Sequence, residues 1–424
     1  MKQLLYKRRS PLLCIALIML AILGYTPILS SGLLYILVGL VSSVAIVSNF
    51  GSRSYQYNSA LVVCIFLYLS ICIAYKLLGI STNSYGLLAL HMFFFFPILL
   101  MLSIPSKLSS KERNWVIVIM LLIISMDIID NIRLCLLYPE LAAVCNRATK
   151  ADEEIAGISI NIGGSKWYNA VFFFFTICFF AYLNIKEKVY KRIMLVCSAL
   201  AALFILGFCV KASVIVFTIF SAVLLFFAKR SNGATYFLLI ALISGVAMFY
   251  VNIYSDEIVS FLSSSVSSER LASRLISLID SESEEAASGV GTMNARRALW
   301  MVSIDTWTDN IANFIYGIGA HHADVGSGVS NKSIGIGNHS DFFDTPAKYG
   351  IFGLVLIFTI LRLSFKWILS IYNKKYHFQL YVIFGMFVLF GFTKGVFTPG
   401  VGCAMFLLLP LLSTYINENS SIKQ

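Results

Sequence analysis

His339 opens the stretch of this chain whose residue types and spacing suit chemistry. It stands in Asn338-His339-Ser340-Asp341-Phe342-Phe343-Asp344-Thr345-Pro346, which leads into an apolar run with Gly350 and Gly353 behind it. An imidazole exchanges a proton near neutral pH. A histidine where a polar loop meets an apolar run suits a lipid-borne substrate handled from the aqueous side. The plainer reading is a loop histidine with no partner. Arg296 and Arg297 precede an amphipathic stretch. Their guanidinium forks match phosphate oxygens, or else the pair is solvated or faces lipid phosphates. Lys211 and Lys394 each stand between apolar runs. Such lysines anchor helices by snorkelling, but two cations and an arginine around one cavity would also suit a diphosphate. His321-His322 is a poor metal site, because adjacent histidines on a loop rarely converge on one ion, and the spacing of a metal centre is missing. The chain also lacks a Gly-x-Ser-x-Gly elbow, a paired-histidine zincin motif, a nucleotide-binding fingerprint and an Asp-x-Asp metal motif.

The elements that must position these residues are membrane helices. The chain has 424 residues, 58% hydrophobic and 12% charged, where soluble proteins carry about 25% charge. The net charge of +11 does not indicate nucleic acid, because the basic residues cluster between apolar runs as in loops lying on anionic lipid. Spans of about 20 apolar residues are predicted at 11–29, 32–49, 59–78, 85–103, 114–132, 167–184, 193–210, 212–228, 235–253, 347–364, 378–394 and 400–416. The first resembles a signal peptide but is read as a retained helix, since many spans follow. Alternate connections carry the basic clusters, including Lys7-Arg8-Arg9, Lys107/Lys111/Arg113, Lys186/Lys188/Lys191/Arg192 and Lys374/Lys375. The opposite short connections carry one lysine each, Lys76, Lys211 and Lys394. By the positive-inside rule both termini are cytoplasmic, and residues 133–166 and 254–346 face outward. Of the 21 acidic residues, only Glu112, Glu187 and Glu418 fall on the inner side. Asp127 and Asp130 are placed near the outer interface.

Three regions follow: membrane helices over 1–253, a large outer loop over 254–346, and membrane helices over 347–424. The loop is too long for a simple connection. Its serine- and acid-rich parts read as flexible, whereas Ala295–Thr308 has helical apolar spacing. Tyr316-Gly317-Ile318-Gly319-Ala320 follows, and then the glycine-rich Gly326–Gly337, where glycines permit tight turns and close backbone approach to a ligand. A helix is expected to start at Thr345-Pro346, with threonine as N-cap and proline at the first helical position. Gly350 and Gly353 would then share a face for close helix packing. Cys135 and Cys145 fall in or beside one outer loop, and form a disulfide there or remain two thiols. The other cysteines lie in or beside apolar runs, as small hydrophobes.

This arrangement resembles the O-antigen polymerase and O-antigen ligase superfamily, the Wzy/WaaL group of bacterial envelope proteins. The resemblance rests on His339-Ser340 through Gly350 and Gly353, on Arg297-Ala298-Leu299-Trp300 followed by Tyr316-Gly317-Ile318-Gly319, and on Lys211-Ala212-Ser213 where relatives often carry arginine. It covers residues 290–365 closely; elsewhere it is limited to many spans and one large outer loop. It implies an all-α, GT-C-like membrane protein of about twelve spans in the bacterial inner membrane, with a periplasmic site. The implied reaction is metal-independent glycosyl transfer without a cofactor, from a glycan on undecaprenyl diphosphate. Catalytic roles would fall to His339 and Arg297, and diphosphate binding to Lys211, Arg296, Arg297 and Lys394. Gly317, Gly319, Gly350 and Gly353 would be structural. Partners would be the lipid-linked oligosaccharide, membrane lipids, and chain-length regulator and flippase proteins. His-Ser, rather than His-Asn, favours a polymerase of lipopolysaccharide O-antigen over a ligase to lipid A core. A polysaccharide flippase is the non-enzyme alternative.

Overall fold

The structure, a computed structural model, describes residues 11–25, 32–48, 56, 58–81, 85–102, 108–137, 165–208, 212–229, 293–321, 331–338 and 340–417. Among them the chain is helical, with no strand. In chain order the helices are α1 (Pro11–Tyr25), α2 (Gly32–Val47), α3 (Ser59–Leu77), α4 (Tyr85–Met101), α5 (Ser110–Leu137), α6 (Ser165–Asn184), α7 (Lys188–Phe208) and α8 (Ala212–Ala228). They continue with α9 (Met293–Thr308), α10 (Ile311–Tyr316), α11 (Asn331–Ile334), α12 (Asp341–Ile371), α13 (His377–Thr393) and α14 (Pro399–Asn417). A helix stands at eleven of the twelve predicted spans, and the remaining one, 235–253, lies outside the described residues. Seven helices (α3, α5, α6, α7, α12, the stretch Lys374–Thr393, and α14) are long and apolar enough to cross a membrane. The apolar parts of α1, α2, α4 and α8 are shorter. The chain is therefore a helical, membrane-embedded protein.

Lipid, not water, explains the pattern of burial. On α5, Leu122, Met126, Ile129 and Leu136 are exposed at helical spacing, while Ile117, Met120, Ile124 and Ile128 are buried. Both faces are apolar, as expected when one packs on protein and the other on acyl chains. α6 and α14 are apolar all round, and 89% of each span is buried inside the protein, which makes them the centre of the bundle. Their phenylalanines interlock with neighbours: Phe172 on Phe390 at 4.6 Å and Phe94 on Phe406 at 5.5 Å between ring centroids. Such pairs add to the area each ring buries. At Gly400 the backbones of α1 and α14 touch; a Cβ there would lie 2.6 Å from the Gly24 carbonyl oxygen. A π-helical turn at Ala404–Leu408 precedes Pro410, whose ring cannot continue the regular ladder.

The helix that carries the candidate segment is bent. α12 starts at Asp341 but breaks its helical geometry at Gly350, where φ is 64° and ψ is −165°. The part from Ile351 to Ile371, about 20 residues, matches the thickness of a bilayer core. The part before the break projects from its end and meets α9 and α10.

Candidate functional site

The bend at Gly350 and the Gly-Ile-Gly segment are one structure. In an unbroken helix the Ala347 and Lys348 carbonyls would accept from the amides four residues on. The break removes those donors. Ile318 N–H donates to the Ala347 carbonyl at 2.8 Å and Gly319 N–H donates to the Lys348 carbonyl at 3.0 Å. The loop thus satisfies the backbone groups that the bend exposes. The approach is too close for side chains: a Cβ on Gly317 would lie 2.6 Å from the Lys348 carbonyl carbon, and one on Gly350 would lie 2.0 Å from the Ile315 oxygen. Both glycines have positive φ. The segment is also tied to the end of α3: the Tyr75 hydroxyl donates to the Tyr316 carbonyl at 2.5 Å, and Ala320 N–H donates to the Ser81 hydroxyl at 2.9 Å.

A second network brackets position 339. The Ser303 hydroxyl, fully buried on α9, donates to Asp344 Oδ1 at 2.6 Å and accepts from Gly337 N–H at 2.9 Å. Asp344 Oδ2 accepts from Ser340 N–H at 3.3 Å. Ser340 is the N-cap of α12; its hydroxyl accepts from Phe343 N–H at 3.2 Å and donates to the Gly391 carbonyl at 3.0 Å. On the other side Asn338 holds a left-handed backbone (φ 57°), and its amide donates to the His321 carbonyl at 3.3 Å. The residues before and after 339 are therefore both pinned. His339 itself lies outside the described residues.

The third component is the turn between α13 and α14. Asp341 Oδ2 accepts from Val396 N–H at 2.5 Å and from Phe397 N–H at 2.7 Å. Asn169 on α6 donates to the Gly395 carbonyl at 2.7 Å. Lys394, the C-cap of α13, is buried there at 8% exposure. Lys348 is buried two turns along α12 from Asp341, and attracts its carboxylate. Both acids of the first turn, Asp341 and Asp344, complement the positive end of the helix dipole, and both are engaged by backbone and hydroxyl donors. Beneath the bend, Tyr68 shares a hydrogen bond with His91 Nδ1 at 3.2 Å and meets the Tyr349 ring edge-on at 5.7 Å.

Several expectations need correction. α12 starts at Ser340-Asp341, not at Thr345-Pro346; a serine cap followed by two acids outweighs a threonine-proline start. Gly350 and Gly353 do not serve a facing membrane helix. Gly350 makes the bend, and a Cβ on Gly353 would lie 2.4 Å from Cβ of Tyr349, within the same bend. Asp127 is buried within the protein at 5% exposure on α5 rather than open to water; Asp130 is the more exposed and pairs with Arg133 at 3.8 Å. Cys135 is buried on α5, and Cys145 lies outside the described residues.

The structure brings Gly317, Gly319, Gly350, Gly353 and Lys394 to one end of the bundle. α9 packs on the start of α12 there. Trp300 meets the Phe343 ring at 5.5 Å between centroids, and Arg297 is exposed one turn before Trp300. Arg296 lies on the same helix, but its side chain is not among those described. Lys211 lies outside the described residues; the helix before it ends at Phe208, one turn past Phe204, whose ring packs on Trp167 at 5.0 Å. His321 Nε2 donates to the Ile318 carbonyl at 2.9 Å, which uses that ring locally. Sequence reasoning missed Ser303, Asp341, Asp344, Lys348 and the Tyr68–His91 pair. The acids directly after Ser340 were a legible helix-start signal; the others depend on contacts between distant segments. No protein-family model matches the chain, and no curated protein matches it.

Proposed function

We propose that this chain is an O-antigen polymerase, a glycosyltransferase of about twelve membrane spans with a GT-C-like arrangement. It joins undecaprenyl-diphosphate-linked repeat units at the periplasmic face of the bacterial inner membrane. One observation carries the reading. Tyr316–Gly319 is hydrogen-bonded to Asn338–Gly353 at the end of the bundle, and the helix that carries Arg297–Trp300 joins them through Ser303 and through the Trp300–Phe343 ring contact. These segments carry the family resemblance together with Lys211-Ala212-Ser213, whose lysine lies outside the described residues.

In this reading the acceptor hydroxyl oxygen attacks the anomeric carbon of the donor glycan. The bond from that carbon to the diphosphate oxygen breaks, and the hydroxyl proton passes to His339. The leaving group is already a diphosphate, so catalysis consists of aligning the acceptor and stabilising developing negative charge. Arg297 supplies a forked donor to the diphosphate. Lys394 contributes positive potential from a buried position, where charge is screened less than in water. The networks through Ser303, Asp344 and Ser340 hold the backbone on both sides of His339.

The test is a strain lacking this protein, examined for surface polysaccharide. A polymerase leaves lipid A core carrying a single repeat unit. A ligase leaves core with no repeat, which would transfer the assignment to that reaction. Wild-type chain lengths would remove both. In the complemented strain, His339→Ala and Arg297→Ala should each abolish chain extension with normal membrane levels. Full extension by both variants would overturn the assignment of the site.

A further inference from the structure

A cavity of about 460 Å³ lies at the opposite end of the bundle from the His339 segment. Two helices span the distance. α6 runs from Asn169, which holds the Gly395 carbonyl, to Asn184 in the cavity wall. α13 runs from Gln379 in the wall to Lys394. At 1.5 Å per residue, the ends of each are separated by about 22 Å.

Among the described residues, four lysines line this cavity and no aspartate or glutamate does. They come from three different places in the chain: Lys186 and Lys191 around the start of α7, Lys229 just past α8, and Lys375 in the turn before α13. Three of the ammonium groups have defined neighbours. Lys229 donates to the Leu183 carbonyl. The Lys191 ammonium sits 5.3 Å from the centroid of the Tyr182 ring, and that of Lys375 sits 4.7 Å from the Tyr376 ring. The polar part of the wall is built as well. The Asn184 amide donates to Gln379 Oε1 at 2.9 Å and to the Phe180 carbonyl at 2.8 Å, while Gln379 Nε2 donates to the Leu225 carbonyl at 3.2 Å. Burial and the neighbouring Lys191 both push the Lys229 ammonium below the usual lysine range. Like charges gathered in one concavity repel one another, and a bound anion relieves that repulsion.

We infer that this cavity is a binding site for a multiply charged phosphate group, held by Lys186, Lys191, Lys229 and Lys375. The volume falls in the range of small-molecule sites and exceeds what a single phosphate fills. Compact ammonium groups bind phosphate as point charges without the planar geometry that arginine imposes. Two sources share this chemistry: the headgroup of a lipid with two phosphates, and a soluble diphosphate. The inference does not rest on the proposed glycosyl transfer, since it concerns the other end of the bundle.

The experiment uses full-length protein in a neutral detergent, with thermal unfolding followed during titration with cardiolipin or sodium pyrophosphate. At least one probe should raise the unfolding midpoint saturably. A response to pyrophosphate identifies a soluble source, and a response confined to cardiolipin identifies a headgroup. The double variant Lys191→Gln/Lys229→Gln should weaken the apparent affinity about 30-fold, at about fivefold per lysine. The variant Arg362→Gln/Lys366→Gln removes the same charge from exposed positions of α12 outside the cavity and should change it less than about threefold, as neither side chain touches the phosphate. Absence of any saturable response would overturn the inference. So would equal weakening by the two double variants, or a response that the cavity variant leaves untouched, which would place the binding elsewhere.

Discussion

Replacing Gly350 by alanine tests the central feature of the candidate site. The backbone at φ 64°, ψ −165° is a region that only glycine occupies readily, so alanine costs about 1–3 kcal/mol in backbone strain. The new Cβ would lie 2.0 Å from the Ile315 oxygen, and α10 must retreat to admit it. Retreat breaks the Ile318 and Gly319 bonds to Ala347 and Lys348, worth about 1 kcal/mol each and more if the carbonyls remain buried without donors. The sum is about 3–6 kcal/mol. Gly385, in the interior of α13, is the control: a Cβ there meets nothing within 4 Å, and alanine should be neutral or favourable by up to about 1 kcal/mol. Equilibrium unfolding of the purified variants in mixed micelles measures both. A Gly350→Ala protein within about 1 kcal/mol of the parent would refute the account of the bend as a backbone fit between α10 and α12.

Three further outcomes are expected. Ser303→Ala leaves Gly337 N–H and Asp344 Oδ1 without the hydroxyl that joins them. It should cost about 1–3 kcal/mol and speed amide exchange across residues 336–344, which hydrogen-exchange mass spectrometry can read. Asp341→Ala strips the acceptor from Val396 and Phe397 N–H. It should cost about 2–5 kcal/mol, with most of that loss restored in Asp341→Asn, whose amide oxygen can still accept from both; equal losses in the two variants would contradict this. Lys229 has its folded-state pKa lowered below the model-compound 10.5 by burial and by Lys191. The unfolded chain therefore binds this proton more tightly, so the group's unfavourable contribution is present in full below its folded pKa and fades as pH rises towards 10.5. Lys229→Gln should flatten this rise, measured as the difference in unfolding midpoint between variant and parent from pH 8 to 10.5.

Much of the architecture was legible because membrane helices are set by local composition. A run of about 20 apolar residues must satisfy its own backbone, and helix is the way a single segment does so. Eleven helices accordingly stand where apolar runs predicted them. The helix at Met293–Thr308 was equally readable, from apolar spacing alone. The start of α12 was misread because two cap signals lie five residues apart, Ser340 and Thr345. A propensity rule does not rank them; the bonds from Ser340 to Gly391 and from Ser303 to Asp344 do.

By itself the sequence determined that this chain is a helical membrane protein, and it directed the proposal of a chemical site to a short set of polar residues around 297–353. Only the tertiary structure decided what the glycines there are for. Gly317 and Gly350 lie 33 positions apart, and nothing local reveals that each makes room for the other's backbone. The same holds for Lys394 and Asp341, and for the four lysines that three separate connections bring to one cavity. Helices form from nearest-neighbour information. Sites form from contacts between segments far apart in the chain, and these exist only once packing has chosen which helix ends meet.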